Sequence, residues 1–135
     1  MRRISLAAAS AAVLALSALP ASAAMASATT ATHKLSFPGL SGVKAWGNYT
    51  KVARGLKVNV CAEDMNRGIF AVGAVTVASN STRKLHANLG AVSIGYHQVV
   101  CRSMTLRYSS HLQVYTFTAN NKGMINHTSK KKNLF

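Results

Sequence analysis

A chain of 135 residues with 16 Lys and Arg against two acids, and a formal net charge of +14, has almost no carboxylate for acid-base or metal chemistry. Its only acids, Glu63 and Asp64, are neighbours that point to opposite faces of a strand, so they form no facing pair of the kind glycoside hydrolysis needs unless the turn before Gly68 folds them together. A surface so one-sided attracts polyanions, with strong salt dependence.

Arg2 and Arg3 open an apolar, Ala-rich segment from Ile4 to Leu19, and small residues dominate from Ala21 to Ala26. That is the layout of a secretory signal peptide. Residues 1–26 are therefore expected to direct export, and residues 27–135 to form one mature, basic, secreted β domain. The apolar segment is shorter than a membrane span and nothing after it is long enough, so no span is expected in the mature chain. Outside the cytosol the only two cysteines, Cys61 and Cys101, are expected to form one disulfide.

Ser27 to Thr32 has no periodicity and reads as a lead-in. His33 to Phe37 reads as a short strand stopped by the turn pair Pro38-Gly39. The strand that follows runs to Val52 and carries the only Trp, Trp46, followed by Gly47, which suggests a bulge or a close backbone approach. Trp46 and Tyr49 with Lys44, Lys51 and Arg54 form a basic-aromatic cluster, the type of surface that stacks sugar rings or bases while holding phosphates. A lone Trp more often forms the main core aromatic of a small β domain, and the core is the preferred reading of Trp46.

Leu56, Val58 and Val60 alternate with Lys57, Asn59 and Cys61, the pattern of a half-buried strand. Asp64 is expected to cap the turn after it through its side chain. Asn66-Arg67-Gly68 supplies that turn, with Asn66 or Gly68 available for positive φ, and Ile69 to Ala78 is apolar on both parities. A hairpin is expected there, its second arm covered on both sides. Leu85 to Leu89 restarts the alternation, and Met104, Leu106 and Tyr108 share one parity while Cys101, Ser103 and Thr105 share the other. Both cysteines thus fall on the polar parity, which places the disulfide off the main core, across neighbouring strands or at a strand end.

Leu112 to Thr118 reads as a strand joined through Asn120-Asn121-Lys122-Gly123 to a return arm at Met124–Thr128. Lys130, Lys131 and Lys132 read as a solvated terminus that also offers polyanion contacts. The expected fold is all-β, an antiparallel β-sandwich or small β-barrel of about eight strands. Its expected core is Leu56, Val58, Val60, Val75, Val77, Leu85, Leu89, Met104, Leu106, Leu112 and Val114.

The five histidines stand singly, with no pair at a metal-binding spacing, and no nucleophile-elbow pattern occurs. No metal, cofactor or catalytic residue is expected. The leading functional expectation is a non-enzymatic binding protein whose basic surface engages a cell-wall polymer, nucleic acid, acidic glycan or acidic protein. Two alternatives accompany it. One is a secreted inhibitor or toxin-like effector that presents the Pro38–Gly42 or Glu63–Gly68 loop to a protein target. The other is a small ribonuclease using His with Lys or Arg, although no motif says which histidines would meet.

Overall fold

The computed structural model describes residues 30–84 and 86–135, so the expected signal segment and Leu85 lie outside the described residues. The described residues form nine strands: β1 (Thr32–Lys34), β2 (Val43–Val52), β3 (Gly55–Asp64), β4 (Ala71–Ser79), β5 (His86–Ser93), β6 (Val99–Leu106), β7 (His111–Ala119), β8 (Ile125–Thr128) and β9 (Lys132–Asn133). They form two antiparallel sheets, one in the order β1-β2-β3-β6 and the other β5-β4-β7-β8, with β9 also paired to β7. The expected all-β architecture is therefore a sandwich of two sheets rather than a closed barrel.

The alternation in β3 sets the geometry. Leu56, Val58, Val60 and Ala62 are all fully buried and face the second sheet, where Ala74, Ala78, Leu89, Ala91, Leu112 and Val114 meet them. Buried hydroxyls in this layer are bonded, as burial requires: Thr76 Oγ1 donates to the Leu89 carbonyl at 3.3 Å and Thr116 Oγ1 to the Pro38 carbonyl at 3.2 Å.

Three of the expected core residues sit elsewhere. Val75 and Val77 take the outer parity of β4, because Val72, Ala74, Thr76 and Ala78 occupy the inner one. In a run apolar on both parities, only the opposing sheet decides which set turns inward. Val75 instead joins a small outer cluster with Phe117, Ala71, Ala119 and Tyr115, so the expected cover on both faces is met only over the first half of β4, and Val77 and Ser79 stay partly exposed. Met104 has the core parity yet is 52% exposed, since β6 is an edge strand with one flank open to solvent.

The expected hairpin between β3 and β4 does not form. Both flanks of β3 are already taken, by β2 and β6, so the chain crosses at residues 65–70 into the other sheet, where β4 pairs with β5 and β7. The turn itself is made without positive φ at Asn66 or Gly68. The Asn66 side chain accepts the Gly68 N–H at 2.9 Å and the Asn66 carbonyl accepts that of Ile69 at 3.0 Å. The β7–β8 hairpin forms as read, with Gly123 at φ 76 and the Asn120 side chain accepting the Lys122 and Met124 N–H groups at 3.0 Å.

Gly47 faces inward opposite Val60 in an unbroken register, so the close approach is realised and the bulge is not. A Cβ there would run into the Asn59 carbonyl and the Leu35 side chain.

Cys61 and Cys101 are direct partners across β3 and β6, bonded with their Cα atoms 4.1 Å apart. They lie on the parity opposite Val58 and Val60, so the sulfurs sit on the outer face, off the main core. The closed loop spans a sequence separation of 40, which in the chain-entropy model stabilises the fold by about 4 kcal/mol.

The C-terminus departs from the reading of a solvated tail. Lys132 and Asn133 pair with Val114 and Gln113, the Leu134 N–H donates to the Leu112 carbonyl at 2.8 Å, and the Leu112 N–H donates to the Phe135 carbonyl at 3.1 Å. Leu134 and Phe135 pack against the core, which draws the chain onto the sheet while the lysine side chains stay exposed.

Candidate functional site

Pairing within the first sheet lays out its outer face in rows. Trp46, Cys61 and Cys101 form one row; Lys34, Asn48, Asn59 and Ser103 form the next; Thr32, Thr50, Lys57 and Thr105 form the third. Ser103 Oγ donates to Asn59 Oδ1 at 3.0 Å and the Thr32 and Thr50 hydroxyls bond at 3.1 Å, which holds the rows in place. The second and third rows enclose a shallow hollow of about 260 Å³. An aromatic ring thus stands at one side of a field of amides and hydroxyls with lysines among them.

Trp46 is 36% exposed on this face rather than in the core, a correction to its preferred reading. The reason is parity: Gly47, not Trp46, takes the inner position, where the Asn59 carbonyl of neighbouring β3 and the Leu35 side chain leave no room for a side chain. Lys44 Nζ lies 5.3 Å from the Trp46 ring centroid, within cation-π range. The same ammonium is 3.2 Å from Glu63, and His97 Nδ1 is 3.1 Å from the other Glu63 oxygen. These two hydrogen bonds, that of His97 first, hold the Glu63 carboxyl below the usual carboxylate range. The only carboxylate bordering the face is therefore already engaged.

The expected basic-aromatic cluster is divided by the fold. Lys44 and Trp46 share the outer face, whereas Tyr49 and Lys51 have the inner parity, toward the end of β2 away from Val43. There Tyr49 stacks on His33 at 5.1 Å and meets Phe135 at 5.6 Å, and Lys51 lies 4.7 Å from the Phe135 ring. Arg54 is in the β2–β3 turn, and Lys130, Lys131 and Lys132 run beside β7 on the other sheet, with Lys132 Nζ donating to Ser36 Oγ at 2.8 Å.

At the opposite end the two expected loops come together. Buried Asp64 accepts the Asn66 N–H at 2.8 Å, the capping role expected of it, and its carbonyl accepts the His97 N–H at 2.8 Å. Leu40 and Ser41 from one loop, with Asn66 and Gly68 from the other, line a cleft of about 960 Å³ that Ile69 and Phe70 also border. Exposed apolar side chains surround this end: Met65, Phe70 and Tyr96, and Ile94 at 66%. The Arg67 guanidinium lies 4.8 Å from the Tyr96 ring.

The second sheet holds an arrangement that sequence spacing could not reveal. His86 and His111 flank Ser79 in register, although they are far apart in the chain and only the pairing of β4 with both β5 and β7 unites them. No group of three metal-ligating side chains occurs among the described residues. Comparison with protein-family models, with curated proteins and with solved structures finds no match to this chain.

Proposed function

We propose that this chain is a small, secreted, non-enzymatic binding protein that engages an anionic polymer, with an acidic glycan the best match to the outer face of the first sheet. One observation carries the reading: an exposed Trp46 beside Lys44 borders rows of Asn, Ser and Thr that include Lys34 and Lys57, with Glu63 already paired. Aromatic faces stack on sugar rings, amides and hydroxyls exchange hydrogen bonds with sugar hydroxyls, and ammonium groups meet acidic substituents. Export through residues 1–26 belongs to the same proposal, and the disulfide is compatible with it.

The test is retention of the protein on immobilised heparin, a wall teichoic acid and single-stranded RNA over a salt gradient. Retention on heparin or teichoic acid at low salt, lost steeply by about 0.5 M salt, is expected, because screening lengths shrink to a few Å there. Trp46→Ala should weaken retention on the glycan more than on RNA. Elution at low salt from all three sinks the proposal, and shortened RNA products would replace binding with ribonuclease catalysis.

The meeting of both candidate loops at one apolar end favours a second reading, an inhibitor or effector that presents this end to a protein. Monomeric soluble proteins rarely cluster exposed apolar side chains in this way without a partner. A stoichiometric complex formed in culture supernatant and abolished by Phe70→Asp would support it; unchanged monomeric elution would remove it.

A further inference from the structure

On the outer face of the second sheet, Ser79 at the end of β4 pairs with His86 on one side and His111 on the other. Neighbouring strands lie about 4.8 Å apart, so the two imidazoles rise from backbones roughly 9.6 Å apart with one hydroxyl between them. The next row is Asn88, Val77 and Gln113. These side chains line a groove of about 280 Å³ together with Arg83, Tyr115 and Lys131.

Two cations reach this groove from outside the strands. Arg83 ends the turn after Asn80, its N–H donating to the Asn80 carbonyl at 3.0 Å, with φ 56, a conformation that residues bearing a side chain rarely adopt. Lys131 Nζ stands 5.7 Å from the Tyr115 ring. None of the lining side chains is an acid, and the chain's only two side-chain carboxylates are committed in the other sheet, Glu63 to Lys44 and His97, Asp64 to its turn. The cationic side chains therefore line the groove with no acidic side chain among them. Such an arrangement costs repulsion when empty and releases it when an anion enters.

We propose that this groove binds a phosphate group carried by a linear phosphate polymer, between His86 and His111. The inference rests on the anionic-polymer reading and adds to it a second contact, on the opposite face of the sandwich. The lining offers several donors: two imidazoles on either side of the Ser79 hydroxyl, a guanidinium and an ammonium. A tetrahedral group with several outward oxygens meets them better than a planar carboxylate with two. The charged and titratable groups facing the groove are His86, His111, Arg83, Lys131 and Tyr115.

The decisive experiment titrates the full secreted protein with inorganic phosphate and, separately, with linear tripolyphosphate, following the histidine ring resonances by NMR. Tripolyphosphate is expected to move the signals of His86 and His111 while leaving that of His127, on β8, in place. The doubly substituted His86→Gln, His111→Gln protein is expected to bind tripolyphosphate about tenfold more weakly than the parent. Thermal melts confirm that this variant folds, and the wild-type signals carry the result if it does not. Perturbation centred elsewhere overturns the site, and inorganic phosphate bound as tightly as tripolyphosphate overturns the polymer. Heparin retention without any tripolyphosphate binding overturns the groove alone, and loss of both removes the broader reading as well.

Discussion

Leu106 and Trp46 are both large apolar residues of strands in the first sheet, but Leu106 is buried at 1% exposure and Trp46 is over a third exposed. Leu106→Ala should cost about 2 to 5 kcal/mol, the lost transfer energy plus a cavity, read as a drop in the urea midpoint. Trp46→Ala should cost much less than that while lowering glycan retention; a Trp46 variant that unfolds like the Leu106 variant would show the ring to be scaffold. Glu63 offers a pH test. Its folded-state pKa is lowered by His97 and Lys44, so its ionised form stabilises the fold. That contribution is whole above the unfolded value of about 4.3 and is lost as the pH falls through the lower folded value. The melting-temperature gap between wild type and Glu63→Gln should therefore hold steady between about pH 5 and pH 6 and close below the ordinary carboxylate range.

Strand β2 and the C-terminal strand show how neighbouring backbones, more than propensity, set element stability. Gly47→Ala pushes a methyl into the Asn59 carbonyl, a backbone atom that cannot rotate away. Overpacking of this kind costs about 1 to 3 kcal/mol, and thermal melts should show it although Ala is the smaller change on any helix or surface scale. At the other end of the chain, removing Leu134 and Phe135 deletes two backbone hydrogen bonds to Leu112 and the aromatic contact with Tyr49. A loss of about 2 kcal/mol is expected, from hydrogen bonds worth about 1 kcal/mol each and partly buried apolar surface. Lys130→Ala, a neighbouring change at an exposed side chain, should stay within about 0.5 kcal/mol. Equal damage from the two would mean that the lysines, not the paired backbone, hold the terminus.

For the whole molecule, the dominant facts are two packed sheets, one bridge within the first of them, and a charge with almost no internal balance. Reduction of the Cys61–Cys101 disulfide should remove up to about 4 kcal/mol and shift the melt accordingly, since the bridge closes a long loop across the edge strand β6. Much of this whole was legible in the residues. The alternation of Leu56, Val58 and Val60 against Lys57, Asn59 and Cys61 sufficed for the strand, for its core-facing side and for a disulfide on the outer face, because side-chain parity is a local property of an extended chain. The Asp64 cap and the Asn120–Gly123 turn were likewise local, because each is closed by bonds within a few residues. Which strands become neighbours was not. The crossing after Asp64 in place of a hairpin, the outward turn of Val75, Val77 and Trp46, and the docking of the last four residues on β7 depend on where the second sheet lies. So does the meeting of His86 and His111 around Ser79. Residues far apart in sequence are joined only by pairing register, and register is decided by burial of one sheet against another, an energy that no short stretch of chain contains.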